Sequence, residues 1–245
     1  MKLLVLAAGY ATRLYPLTLD RPKALLDVAG RPMLEHVLGS LAPIRELDGT
    51  YVVTNSKFAR RFAEWERDSS WDAVVVDDGT RDDETKRGAI GDIAFFLEHE
   101  GLDDDLIVVA GDNLFSEPLG GFGDAIRERR APTLAVFDVG DLEAIKQYNA
   151  IEIDADGRIT FFEEKPAQPK STLTGIALYF YPRETLPLVR RYVEEGNNAD
   201  QPGRLIQWLY PRVACYTWLV PGIWYDIGSA ESLAEADRVF AQLAR

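Results

Sequence analysis

The stretch from Lys2 to Ala7, "KLLVLA", is apolar from Leu3 onward and shows no alternation. A strand with one wet face alternates apolar and polar residues, whereas a strand apolar throughout has to be covered on both faces. This run therefore demands an inner sheet strand with helices above and below it. The next segments supply both kinds of element. Tyr51 to Thr54, the valine-rich Asp72 to Val76, Leu106 to Ala110 and Thr133 to Asp138 read as further strands. Between them lie helical patterns. Pro32 suits a first helical turn, and Met33, Leu34, Val37, Leu38 and Leu41 follow at helical spacing. Ala59 to Arg67 and Phe122 to Arg130 also read as helix, and Ile90, Ile93, Ala94 and Leu97 make one helical face. The alternation predicts a three-layer, Rossmann-like α/β fold around a mixed, mostly parallel sheet.

Past about residue 140 the rhythm changes. "AIEIDADGRITFFEEKP" reads as a hairpin turning at Asp156-Gly157, and "GIALYFY" as a further strand. A helix falls within Thr185 to Glu195, "EEGNNADQPG" reads as a loop, and Val213 to Leu219 as a late strand. Ser229 starts a last helix with Leu233, Ala236, Val239, Phe240 and Leu243 on one face, although Ser232 and Glu235 also have capping-box spacing. With no repeat and no linker, residues 1–245 are expected to form a single domain. Its half to about residue 140 is parallel, and the half from about 141 is more antiparallel.

The charge limits the partners. A net charge of −13 disfavours a broad nucleic-acid or anionic-membrane surface, yet leaves room for a small anion held by a few clustered cations. No apolar run approaches the roughly 20 residues of a membrane span. The first residues faintly resemble a signal peptide, but a buried first strand explains them better. A single cysteine, Cys215, excludes an internal disulfide and suits a reducing cytoplasm.

Four places could carry chemistry. In "LAAGYATRLYPLTLDRPKALL", after the first strand, Gly9 would let backbone approach an anion, and Arg13 and Lys23 would supply charge. Both the dinucleotide pattern G-x-G-x-x-G and the P-loop pattern are absent. Taken alone, the loop is better explained as an ordinary strand-to-helix connection with surface cations. "VVAGDN" sets Asp112 beyond a strand, where a carboxylate could help hold Mg²⁺ or simply close a turn. "WYDIGS" sets Asp226 in a second such position, which equally fits helix-start electrostatics. "FFEEKP" puts Glu164 beside Lys165, as a solvated hairpin end also would. His36 and His99 fall in helical stretches, and no Cys/His cluster supports zinc. Together, the cations Arg13, Lys23 and Lys165 with the carboxylates Asp112 and Asp226 match phosphoryl-type transfer, in which positioning and charge neutralisation dominate.

The first block resembles the signature of the sugar-phosphate nucleotidylyltransferases, roughly G-x-G-T-R-L-x-P-L-T followed by P-K-x-L. "GDN", "EEKP", "LYFY" and "WYDIGSAESLAEA" resemble later blocks of that family in the same order. The resemblance implies a nucleotide-diphospho-sugar transferase type of fold. The reaction it implies is attack of a sugar 1-phosphate on the α-phosphorus of a nucleoside triphosphate, with pyrophosphate leaving. It implies that Leu6, Ala7, Ala8, Gly9, Gly88 and Asp112 line the nucleotide. Arg13 and Lys23 would be the catalytic cations, and Asp112 and Asp226 the ligands of an Mg²⁺ cofactor. Asn149, Glu164, Lys165 and Tyr179 would face the sugar phosphate. The partners implied are an NTP and a sugar 1-phosphate, with no nucleic acid or membrane, in a cytoplasmic protein that could form a homo-oligomer.

Three departures narrow this. Ala11 stands at the family's second loop glycine, and the loop keeps its shape if φ at Ala11 is negative. Asn149 replaces a glycine near the sugar, so glucose does not carry over as the acceptor. "DDETKRGAIGD" lacks the glutamine-containing stretch that reads thymine, which leaves the base open. Ending at residue 245, the chain is expected to have no C-terminal β-helix or acyltransferase extension. Two alternatives remain. One is a cytidylyltransferase for a non-sugar phosphate or phosphonate, whose ammonium cage could draw on Trp208, Trp218, Trp224 and Tyr225. The other is a non-catalytic nucleotide-sensing subunit on the same fold.

Overall fold

The computed structural model describes residues 1–243. The opening run forms β1 (Lys2–Leu6), with Leu4 and Val5 fully buried on opposite faces. On one side it pairs in parallel with β2 (Thr50–Thr54), which pairs in parallel with β3 (Val74–Asp77). On its other side it pairs in parallel with β4 (Leu106–Ala110). A short β5 (Asn113–Phe115) leaves the plane of the sheet, and β6 (Thr133–Asp138) rejoins it. The hairpin strands β7 (Asn149–Ile153) and β8 (Ile159–Glu164) form their own two-stranded sheet. β9 (Leu173–Tyr181) runs antiparallel to both β4 and β6, and β10 (Tyr216–Leu219) pairs in parallel with β6. The main sheet thus has seven strands in the order β10-β6-β9-β4-β1-β2-β3, parallel but for β9.

Helices cover both faces because neighbouring residues of each strand feed different cores. Leu3 and Val5 join α1 (Met33–Leu41), α2 (Ala59–Asp68) and α4 (Gly120–Arg129). Leu4 joins α3 (Ala89–His99), α5 (Leu186–Glu194) and α6 (Gly203–Leu209). A third cluster gathers Leu14, Leu26, Val28, Leu114 and Ile227 beneath α7 (Ala230–Leu243). The amide of Ser232 donates to the Ser229 hydroxyl, so the cap is at Ser229 and the capping box starting at Ser232 does not form. Ala236 and Phe240 are buried, but Leu243 is exposed and leaves the expected apolar face.

Other boundaries also moved. The strand expected at Asp72 begins at Val74, and the one expected at Val213 begins at Tyr216. Helix α6 rises directly out of the stretch read as loop. His36 is buried in α1 with Nε2 against the Val28 carbonyl, and His99 lies at the exposed end of α3. Among the described residues, no helix is long and apolar enough to cross a membrane.

Tyr181, at the end of β9, is fully buried and its hydroxyl finds no partner among the described residues. An unpaired buried hydroxyl costs about 1–3 kcal/mol. Tyr181→Phe should therefore stabilise the protein by about 1 kcal/mol in denaturant titration, and a loss of stability would show that the hydroxyl is satisfied in solution.

Candidate active site

β1 has β2 on one side and β4 on the other, and the chain changes direction across the sheet there. Open α/β sheets bind ligands at such a switch point, beyond the carboxyl ends of the strands. Two adjoining pockets of about 390 and 310 Å³ lie there and share Leu6, Gly9, Ala11, Arg13 and Ala89. The first runs outward past Tyr10, Asp78, Lys86, Gly88 and Asp92, and the second inward past Lys23, Gly111 and Asp112.

The loop after β1 is built without its second glycine. Ala11 adopts φ 48° and ψ 43°, so the condition of a negative φ is not met and alanine holds a left-handed turn. The Thr18 hydroxyl donates to the Ala11 carbonyl at 2.8 Å and pins that turn. Gly9 meets no protein atom where a Cβ would sit, so its bareness leaves space on the pocket side. Arg13 is exposed and, among the described residues, makes no hydrogen bond or ion pair. Lys23 opens a short 3₁₀ turn after the extended Pro22 and pairs with Asp112.

Asp226 reaches the same point by a different route. β11 (Trp224–Asp226) runs antiparallel to β5 and places Asp226 opposite Asn113, hence beside Asp112. Trp224 Nε1 donates to Asn113 Oδ1 at 3.2 Å, and Asn113 Nδ2 donates to the Ala177 carbonyl at 3.2 Å, tying this ribbon to β9. Asp226 is open to solvent at its surface but set in a cleft dense with protein atoms. Its carboxyl is held above the ordinary carboxylate range, first by loss of solvation and then by the charge of Asp112, while Lys23 and Arg13 pull it down. Among the described residues, no group of three or more His, Cys, Asp or Glu side chains converges. Two mutually repelling carboxylates do converge. That donor set fits Mg²⁺, which uses few carboxylates and completes its shell with water and phosphate oxygens.

Of the expected sugar-side residues, none lines either of these two pockets. Glu164 is raised by burial, and Arg204 and Lys165 pull it down. Its charge is felt at Tyr179, which is buried and stacks on Tyr181 with centroids 6.0 Å apart. A Cβ on Gly203 would come within 2.5 Å of Glu164 Oε2, so the start of α6 closes tightly over the carboxylate. Lys165 is exposed at φ 48°, and its amide donates to the Tyr148 carbonyl. Asn149 is largely committed to the protein. Its Oδ1 accepts from the Gly175 amide at 2.7 Å and its Nδ2 donates to the Gly175 carbonyl at 3.0 Å. It acts as a substitute peptide group where the pairing of β9 with β6 shifts register.

Gly88 has φ 76°, and a Cβ there would meet the Ala199 carbonyl oxygen at 2.6 Å. The chain preceding α6 is therefore pressed against the first turn of α3, where Ile90 donates to the Ala199 carbonyl at 2.8 Å. Reading 194–203 as plain loop missed this contact, and it missed Arg204, because nothing in "NNADQPGR" marks a packed strap. The four candidate cage aromatics pack separately. Trp208 meets Tyr192 edge-on and lies under the Arg212 guanidinium, while Trp218 packs on Phe122, Trp224 on Phe137 and Tyr148, and Tyr225 on Phe240.

Fold and crevice together define an α/β protein with pockets at a topological switch point. A family model described as Nucleotidyl transferase matches residues 2–242, and the chain belongs to that family. It is 29% identical over 245 residues to a glucose-1-phosphate thymidylyltransferase of Streptomyces antibioticus, covering 97% of this chain and 65% of the relative. It is 28% identical over 181 residues to a UTP–glucose-1-phosphate uridylyltransferase of Haloferax volcanii, covering 74% of this chain and 72% of the relative. A solved UDP-glucose pyrophosphorylase complexed with UDP-glucose shares the fold. Its TM-score is 0.82 at 22% identity, over 98% of each chain.

A non-glycine residue in the left-handed region costs about 1–2 kcal/mol, partly offset by the extra unfolded-state freedom of glycine. Ala11→Gly should therefore raise thermal stability by about 2–4 °C, near 1 kcal/mol for a chain of this length. An unchanged or lower melting temperature would mean that Ala11 is not strained.

Proposed function

We propose that the chain transfers a nucleoside monophosphate from an NTP to a sugar 1-phosphate, releasing pyrophosphate. The observation that carries this reading is the meeting of Arg13, Lys23, Asp112 and Asp226 at the switch point. Two relatives named for thymidylyl and uridylyl transfer to glucose 1-phosphate support it.

The chemistry asks little of a base. A phosphate monoester has a second pKa of about 6, so the attacking oxygen is already mostly ionised near neutral pH. That oxygen forms a bond to the α-phosphorus, and the bond from the α-phosphorus to the bridging β-oxygen breaks. Pyrophosphate leaves with the electron pair. In this reading Gly9 leaves room for the nucleotide, with Leu6, Ala7 and Ala8 forming the floor and Gly88 the side. Arg13 holds the β- and γ-phosphates, and Lys23 neutralises charge on the α-phosphate and the departing oxygen. Asp112 and Asp226 would hold Mg²⁺, which when bound offsets triphosphate charge. Glu164 accepts hydrogen bonds from sugar hydroxyls, and Lys165 faces the sugar phosphate. Asn149 acts mainly by shaping β9 beside the sugar. Residues 1–245 work as one domain whose two halves meet at this crevice, in the cytoplasm.

Incubation with Mg²⁺, a panel of NTPs and several sugar 1-phosphates should release pyrophosphate for at least one pair. Silence across the panel would overturn the reading, and nucleotide binding without turnover would point instead to a sensing subunit. Lys23→Ala should lower kcat by about 10²–10³, the usual cost of one charge-stabilising donor, with folding intact by circular dichroism. A near-normal rate would remove Lys23 from the mechanism. Glu164→Gln should raise KM for the sugar phosphate more than KM for the NTP, and equal effects on both would place Glu164 elsewhere.

A further inference from the structure

A buried carboxyl lies on α3, one turn beyond Gly88. Asp92 is 5% exposed, stands among Ile90, Ile93, Phe96 and Leu97 on the buried face of the helix, and lines the outer pocket. Its Oδ1 is sealed from solvent without a hydrogen-bond partner among the described residues. The group within its reach is another buried carboxyl, Asp78, just beyond β3 and 1% exposed.

The surroundings settle which carboxyl is the acceptor. Asp78 Oδ1 accepts from the Thr80 amide at 2.6 Å and from the Thr80 hydroxyl at 2.7 Å. Having given its proton to Asp78, the Thr80 hydroxyl can only accept from Tyr10, whose oxygen lies 3.3 Å away. Asp78 is thus surrounded by donors and behaves as the carboxylate. Two buried carboxylates in contact would repel strongly, so the arrangement makes Asp92 the neutral acid that donates to Asp78. The result is a directed chain, with Tyr10 donating to Thr80, Thr80 to Asp78, and Asp92 also to Asp78. It ties the loop after β1, the end of β3 and the first turn of α3, which are three walls of the outer pocket.

We propose that Asp92 is a positioning residue for the nucleotide: as a neutral acid donating to Asp78, it holds the walls of the outer pocket together, and loss of its proton opens that pocket. This rests on the transferase reading above. Burial, then the charge of Asp78 and the contact with it, push Asp92 up to about 8, and Arg87 pulls the other way. Arg87 Nε also donates to the Asp78 carbonyl at 2.9 Å. Tyr10 is itself raised by burial, and Lys86, paired with Asp83 and Asp200, stands on the outer rim. An unfolded aspartate loses its proton near pH 4. Between about pH 4 and pH 8 the unfolded chain is ionised at this position while the folded chain is not. The folded state therefore loses stability as pH rises through that window, and loses no more from this group above it.

The test is a set of pH profiles of kcat and of KM for both substrates, for wild type, Asp92→Ala and Asp92→Asn, with an NTP that turns over. If the nucleotide is held only by the protonated pair, its KM should climb about tenfold per pH unit above about 8, with kcat and the sugar-phosphate KM changing far less. Asp92→Ala should already show the raised KM at pH 7. Asp92→Asn, whose amide can donate to Asp78 as the neutral acid does, should restore KM relative to alanine and flatten the rise. An asparagine variant that keeps the wild-type slope, or an alanine variant with wild-type KM, overturns the proposal. Infrared difference spectra of the free protein at pH 7, wild type minus Asp92→Asn, should show a protonated carboxyl. Its absence overturns the pair whether or not any substrate turns over, whereas silence of the whole NTP panel with that band present would count against the transferase reading alone.

Discussion

The pairing of Asn113 with Asp226 is the contact on which the crevice depends. β5 lies in the first half of the chain and β11 near its end, and three residue pairs bring them into register. That register places two carboxylates side by side at the carboxyl end of the sheet. Their repulsion is tolerable because Lys23 lies against Asp112 and Arg13 acts on Asp226 from the loop after β1. Without the ribbon, Asp112 would be the turn aspartate its sequence context equally suggests.

The two sides of the crevice are also mechanically joined. The strap at Ala199 and Asp200 presses on Gly88, and a few residues later the same strap enters α6, where Gly203 closes over Glu164. One segment thus borders both sides of the crevice, touching Gly88 at one end and Glu164 at the other. The left-handed turn at Ala11 and the Asn149 amide that patches β9 show how departures from the family pattern are absorbed by local hydrogen bonds.

Much of this was legible beforehand, for physical reasons. β1 had to be an inner strand because it is apolar on both faces, and α3 announced itself by its spacing. Arg13, Lys23, Asp112 and Asp226 were readable as an ordered set. What escaped depends on distant contacts. Helix α6 is a single short apolar segment, "GRLIQWL", which periodicity alone cannot separate from a buried strand. The positive φ at Ala11 is imposed by tertiary structure against the preference of alanine. Asp92 drew no reading at all, since no one-dimensional pattern shows that its partner Asp78 waits at the end of another strand.

The strap has one more effect. The first amides of α3 point toward the crevice, where a helix beginning beside a sheet commonly offers its positive end to a phosphate. Here Ala89 and Ile90 already donate to the carbonyls of Asp200 and Ala199. The fixed dipole is spent inside the protein, so a polyanion entering there would be met by side chains such as Arg13 and Lys23 on a molecule of net charge −13. Such charges are screened within about 8–10 Å at physiological ionic strength. Capture of the polyanion is thereby tied to the salt around the protein far more than in folds that present a bare helix end.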